Sequence, residues 1–395
     1  NRIQLYCNQV FVTDSVEGVV PEFMMLLQGV IDSPDIPLNV SRSYLQSDSA
    51  VKKISGYITK KVSGRLEELF KADRAEFEKK WDDIRLFIVY GMLTDEKFCD
   101  AALKFMLLRD TENRYFTAEE YKKLVEAEQT DADGNIIYLY ATDPVAQYSY
   151  IKAANDKGYN VLLLDGQLDN HFVGLLEQKF EKTRLVRVDS GVIDQLIRKA
   201  GRKEADLTPL QRNILTGIFS SQLPTVEKTN FLVSFEAMAP GDAPIVITQE
   251  EFMRRMKEMA AMNPGMNFYG ELPDSYNLVV NTEHPLIVAL RDKAGKELDS
   301  EVRPLADSID SDNAAISEIR KAAGDKAPDA EGEQKIKELE KAVGETRERQ
   351  NKIVADYAAG QPVVKQLIDL ALLGNGLLRG EALNEFIKRS VSLLA

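Results

Sequence analysis

Cysteine and histidine are almost absent from this sequence. Cys7 and Cys99 are the only thiols, and His171 and His284 the only imidazoles, in 395 residues. Two thiols build no disulfide framework, and these four residues match no metal-ligand spacing, so no metal is expected. A reducing cytoplasm is the simplest setting. Long apolar runs are missing too: nothing approaches the roughly 18 residues of a membrane span, and no signal peptide opens the chain. Basic residues are outnumbered, 50 Lys plus Arg against 63 Asp plus Glu, for a net charge of −13. An acidic surface cannot replace the counterions around a phosphate backbone, so nucleic acid is not an expected partner. What remains is 44% apolar and 29% charged, the composition of a soluble globular protein, at a length that calls for two or three domains. The chain does not begin with Met and opens directly on a strand-like segment, so a piece of a longer protein is expected.

The most informative stretch is Asp32–Gln46, DSPDIPLNVSRSYLQ. Pro34 and Pro37 hold the backbone extended and discourage helix just before them. Val51, Ile54, Ile58, Val62, Leu66 and Leu69 then recur at three- and four-residue intervals, which predicts an amphipathic helix. Arg42 thus projects from a stiff loop leading into an anchored helix. Its planar fork of donors suits a carboxylate or a phosphate. Pairing with a local acid, Asp32 or Asp35, is the plainer alternative.

Around that loop the pattern is mixed. Ile3–Asp14 alternates in part and reads as a strand with an exposed sheet edge. Helices are expected over Val51–Lys71, Ala75–Gly91 (Phe77, Trp81, Ile84 and Ile88 on one face) and Glu96–Leu108. Thr117 and Glu120 form a capping box. Asp131-Ala-Asp-Gly-Asn opens like a calcium loop but lacks the downstream glutamate, so a turn is expected. From Ile136 to Val188 short apolar strands (Ile136–Ala141, Val161–Asp165, Leu185–Asp189) alternate with helices (Pro144–Asp156, Asn170–Phe180), the pattern of a small parallel sheet. Asp143, Asp165 and Asp169 are the carboxylates a small-molecule enzyme built on that sheet would use. No glycine-rich phosphate loop follows Ala141 or Asp165, and His171 has no companion nucleophile, so scaffold is the favoured reading.

Charge rises and apolar periodicity pauses near Gly191–Thr208, where a boundary is expected. Beyond it come a helix, Leu207–Phe219, and strands Asn230–Phe235, Ile245–Thr248 and Leu278–Asn281. In Gln249–Met262, Met253, Met256, Met259 and Met262 recur every three residues. Such a stripe is either an ordinary core face or an adaptable apolar surface. Residues 291–360 are charged and alanine-rich. Ile336, Leu339, Val343, Ile353 and Tyr357, with Thr346 and Gln350 between, mark a seam and predict a hairpin of Asp310–Ala323 against Glu331–Ala358; a partly disordered acidic linker is the alternative. Pro362–Leu373 and Glu381–Leu394 close the chain as two apolar helices. Leu367, Leu370, Leu383, Phe386 and Ile387 belong to more apolar surface than one short pair can bury, so a four-helix bundle with a second copy is expected.

IQLYCNQVFVTD (Ile3–Asp14) followed by VPEFMMLLQGVIDSPDIPLNVSRSYLQ (Val20–Gln46) resembles the middle domain of the heat shock protein 90 chaperones, bacterial HtpG type. LTPLQRNIL, APIVIT, NTEHPLIV and the terminal LIDLALL…GLLRGEALNEFIKR extend the likeness more weakly, and residues 291–360 depart from it. The resemblance implies a multidomain mixed α/β fold. A middle domain would have a large part over 1–130 and a small α/β unit over 131–192. A C-terminal dimerisation domain over 193–395 would end in a helical bundle and carry a helical insertion at about 291–360. It also implies upstream strands of the first sheet. By this likeness Arg42, supported by Asn39 and Gln46, reaches the γ-phosphate of ATP, with Mg, held by an absent N-terminal domain. This chain alone is then expected to bind no cofactor and to be inactive, in a homodimeric chaperone of unfolded clients. Met253, Met256, Met259, Met262 and Trp81 are its candidate client-binding residues. The rival readings are the small-molecule enzyme on 136–188 and a non-enzymatic dimeric scaffold.

Overall fold

A computed structural model describes residues 3–14, 20–34, 49–201, 203–226, 228–262, 272–323 and 328–394. The chain divides into two compact units: Asn1–Val188 with Leu196–Ala200, and Asp189–Gln195 with Gly201–Ala395. Both are mixed α/β, as the sequence predicts.

The first unit opens with β1 (Ile3–Cys7), β2 (Val10–Thr13) and β3 (Gly29–Asp32), in the order β2-β1-β3. The single strand expected over Ile3–Asp14 is in fact a hairpin. Asn8 (φ 50°) and Gln9 (φ 66°) turn the chain through left-handed backbone, and β2 returns antiparallel to β1. β3 pairs with β1 in parallel. Val10, Phe11 and Val30 on the two outer strands are exposed.

Three helices follow: α1 (Ser49–Ala72), α2 (Arg74–Thr94) and α3 (Glu96–Ala102). Asp73 and Asp95 cap α2 and α3 by accepting the backbone N–H of Glu76 and Phe98. The helix expected over Glu96–Leu108 stops at Ala102. Phe105, Met106, Leu107 and Leu108 are consecutive and all buried, which a half-exposed helix cannot arrange. The chain instead extends into β4 (Leu108–Arg109), which pairs with β5 (Tyr115–Phe116). The core gathers Phe23, Phe77, Trp81, Ile88, Phe98 and Phe105. Gly91 is required within it, since a Cβ there would lie 2.7 Å from the Phe98 ring and 2.8 Å from Phe23.

Thr117 and Glu120 cap α4 (Ala118–Val125) reciprocally, as their spacing predicts. Asp131–Asn135 is a turn: Asp131 accepts the N–H groups of Asp133 and Asn135, and Gly134 has φ 83°. A parallel sheet in the order β7-β6-β8 follows, from β6 (Ile136–Ala141), β7 (Val161–Leu163) and β8 (Thr183–Arg187). Helices α5 (Tyr148–Asp156) and α6 (Asp169–Lys179) are the connections. All six residues of β6 are buried, as befits the central strand of a covered parallel sheet.

In the second unit Thr208 and Gln211 form a capping box for α7 (Pro209–Ser221). β9 (Thr229–Glu236), β10 (Ile245–Gln249) and β11 (Asp274–Asn281) make a sheet in the order β10-β11-β9, with β9 parallel and β10 antiparallel to β11. Helix α8 (Glu251–Met262) lies between β10 and β11 in sequence.

The hairpin is present but begins earlier than predicted, as α9 (Pro285–Ala323) against α10 (Ala330–Ala359). Ile287, Leu290, Ala294 and Leu298 root α9 in the core, and Val354 and Ala358 root α10. Beyond the root, Val302, Ile309 and Ile316 are buried at seven-residue spacing, as are Ile336, Val343 and Gln350 on α10, the periodicity of a coiled coil. An Arg320–Glu340 ion pair at 2.8 Å crosses between the arms.

Two further helices end the chain, α11 (Pro362–Gly374) and α12 (Gly380–Leu394). α11 stops where Gly376 (φ 67°) donates to the Leu373 carbonyl and Leu377 donates to that of Leu372, the paired bonds of a glycine C-cap.

Candidate functional site

Asn39, Arg42 and Gln46 lie outside the described residues. The elements bordering their segment are in place: β3 precedes it and α1 follows it. Asp32, one of the acids offered as a local partner for Arg42, accepts the Gln9 N–H at 3.0 Å. That bond ties Asp32 to the turn of the first hairpin.

The carboxylates of the parallel sheet are absorbed by structure. Arg85 on α2 contacts Asp165 at 2.9 Å and Asp169 at 2.6 Å. Arg109 on β4 contacts Asp165 and Asp82, both at 2.9 Å. Asp169 also accepts the Gly166 N–H at 2.9 Å. Burial pushes the Asp169 carboxyl up, against the Arg85 guanidinium, which pulls it down. The backbone at Gly166 runs so close that a Cβ there would sit 2.3 Å from Arg85 Nη2. Asp143 accepts the N–H groups of Val145 and Ala146 and so builds its own turn. His171 is exposed on α6. These carboxylates do not converge on a reacting position; Asp165 and Asp169 fasten α2 to the α/β layer, and Asp143 holds a turn. Arg85 and Arg109 were not singled out from the sequence, since they lie 80, 84, 56 and 27 residues from the acids they pair with.

Trp81 is a correction. Only 2% exposed, it packs beside Phe77 in the first core and offers nothing to a client. Its i, i+4 partnership with Phe77 already marked it as part of a core stripe.

Helix α8 keeps Met253 and Met256 half-buried and Phe252 exposed. The side chains of Met259 and Met262 lie outside the described ones. The deeply buried side chains on this helix include a cation: Arg254 is enclosed by Glu251 and Glu258, each at 2.6 Å. Lys257 reaches Asp274 on β11 at 2.6 Å. The i, i+3 and i, i+4 spacing of Glu251, Arg254 and Glu258 was the available signal for this cluster.

The terminal helices divide their apolar residues. Leu367 and Phe386, expected at an intermolecular interface, are buried inside the unit, because α11 and α12 pack on the sheet core through them. Leu383 is half-buried. Leu370 is 49% exposed and Ile387 51%, joined by Leu373 and by Val391 at 62%. Asp369, itself buried, holds Lys365 at 2.9 Å and Arg389 at 2.5 Å, and Gln366 donates to Ser390. The two helices are therefore locked together while apolar side chains on both stay open to solvent.

No helix among the described residues is long and apolar enough to cross a membrane. Comparison with known proteins is decisive for family. A model described as Hsp90 protein matches residues 1–318. The chain is 54% identical to the chaperone protein HtpG of Bacteroides thetaiotaomicron over its whole length, which is 58% of that relative. It is 55% identical to the chaperone protein HtpG of Porphyromonas gingivalis, again covering 58% of it. A more distant HtpG, from Alcanivorax borkumensis, is 30% identical over 73% of this chain. The chain thus spans under two thirds of the length of its nearer relatives, and it belongs to the heat shock protein 90 family.

Proposed function

We propose that this chain is the middle and C-terminal part of an ATP-driven, homodimeric chaperone of the cytoplasm. The observation that carries the proposal is the family match across residues 1–318, which includes the PLNVSR loop. The exposed face of α11 and α12 supports the dimer. Apolar side chains left in water on two helices already locked to each other gain by pairing with the same face of a second copy.

Arg42 delivers its guanidinium to the γ-phosphate of MgATP held by the N-terminal domain, with Asn39 and Gln46 shaping the loop. A cation placed against developing phosphate charge is worth about three to five orders of magnitude in rate. Clients dock on apolar surface that includes the half-buried Met253 and Met256 and the exposed Phe252 of α8. Trp81 has no part in that surface. In the full-length protein, Arg42→Ala loses ATP turnover while nucleotide affinity is retained. Turnover equal to wild type would remove Arg42 from the mechanism and leave the family assignment standing. Suppression of a model client's aggregation, lost on Met253→Glu with Met256→Glu, tests the client surface separately.

A further inference from the structure

Helices α1 and α3 of the first unit line an open groove of about 570 Å³ to which four lysines contribute. Lys52, Lys53 and Lys60 come from α1 and Lys97 from α3, and Gly56, Thr59, Ser63 and Ala101 complete the lining, Thr59 and Ser63 being buried. On α1 the residues 52, 56, 59, 60 and 63 fall at three- and four-residue intervals and share one face. The opposite face of the same helix (Ile54, Ile58, Val62, Leu66) packs on the core. α3 is fixed by its Asp95 cap and by buried Phe98 and Cys99. Both walls are therefore anchored before any ligand arrives.

Some lysines of this unit sit against acids: Lys71 with Glu67, Lys79 and Lys80 with Glu76, Lys152 with Asp156, Lys179 with Asp100. None of the four groove lysines makes an ion pair with a described residue, although the chain carries a net charge of −13. The Asp95 carboxylate lies against the lining residue Thr59, and its two oxygens accept the Phe98 N–H at 2.9 Å and the Thr59 hydroxyl at 3.5 Å. Glu96 is exposed at the first turn of α3. Like charges held together without partners cost stability, and an anion seated between them removes that cost.

The lining also selects the anion. Lysines are compact point charges that meet phosphate oxygens from many directions, without the fork that singles out one carboxylate. Among the described residues no aromatic or large apolar side chain lines the groove, so none of them holds a nucleobase or an anchoring residue of a protein partner. Its volume falls in the range of small-molecule sites. We propose that this groove binds a condensed phosphate chain, either free oligophosphate or the triphosphate tail of a nucleotide.

Titration calorimetry of this 395-residue chain at low salt, with sodium tripolyphosphate, ATP and sulfate as probes, tests the proposal. Saturable one-to-one binding of tripolyphosphate, stronger than that of sulfate and weakened by added salt, is expected. ATP binding with the same affinity identifies the nucleotide tail as sufficient; ATP binding much more weakly identifies free oligophosphate. Lys60→Ala with Lys97→Ala lowers the affinity roughly fivefold to tenfold per lysine removed. Lys71→Ala with Lys152→Ala, which removes paired lysines of the same unit, leaves it unchanged. The proposal is overturned by absence of saturable tripolyphosphate binding, by equal affinity in the Lys60/Lys97 variant, or by sulfate binding equally well. An oligo-aspartate peptide that outcompetes tripolyphosphate also overturns it, by marking the groove as a dock for an acidic protein segment.

Discussion

At the scale of single residues, the first unit depends on buried and half-buried charge held in ion pairs. Asp169 is enclosed beside Arg85, and removing one member of such a pair costs more than the pair itself contributes, because the survivor stays buried without a counter-charge. Arg85→Met is expected to destabilise the chain by about 3 kcal/mol, whereas Arg85→Met with Asp169→Leu recovers most of that loss. Urea denaturation of the two variants decides it: equal losses in both would mean that the carboxylate was never the source of the cost. A second charge pair predicts a pH dependence. The Arg74 guanidinium, bonded to Glu120 at 2.7 Å, draws that carboxyl down to about 2 from its ordinary 4.5. A folded-state value below the unfolded one means stability present above pH 4.5 and lost as the pH falls toward 2. The pair is partly open to solvent, so the effect is below about 1 kcal/mol. In Glu120→Gln that part of the acid limb disappears, and unfolding midpoints of wild type and variant should converge between pH 4.5 and pH 2. An unchanged gap between the two curves would exclude Glu120 as the titrating group.

At the scale of elements, the hairpin of α9 and α10 is held by a narrow heptad seam in which Gln350 is buried with no partner for its Nε2. A buried donor without an acceptor costs about 1–3 kcal/mol, so Gln350→Leu is expected to stabilise the second unit by about 1 kcal/mol. A lower melting temperature in that variant would show that the amide is satisfied after all. Thr208→Ala, which deletes the α7 cap, is expected to cost about 1 kcal/mol on the same unit in the same measurement.

Elements were legible where the chain's periodicity is undisturbed. β6 matches its predicted span because six apolar residues in a row suit a strand covered on both faces. The capping box at Thr117 is local chemistry and needs no tertiary information. The first hairpin was hidden because its turn uses Asn8 and Gln9 rather than the glycine that usually announces left-handed backbone. The end of α3 was hidden because Phe105–Leu108 reads as helical core until the fold surrounds it on all sides. The root of α9 was hidden behind a run of charge, although Ile287, Leu290, Ala294 and Leu298 already carried a three- and four-residue spacing.

At the scale of the whole molecule, family membership was readable in the PLNVSR motif and its flanks. The fate of individual side chains was not. Leu367 and Phe386 look like surface anchors in one dimension and are core in three, since burial depends on which faces neighbouring elements leave free. Arg85 and Arg109 were missed for the complementary reason: a guanidinium whose carboxylates are distant in sequence is recognisable only with them around it. What the fold leaves outside, Leu370, Leu373, Ile387 and Val391, is the apolar surface that the proposed dimer would bury. The most direct measurement is sedimentation equilibrium of the 44.3 kDa chain and of its Leu370→Glu/Ile387→Glu variant. Twice the chain mass for wild type, falling to the single-chain mass in a variant that stays folded, is the predicted result. A wild-type chain that sediments as a monomer at high protein concentration would contradict it.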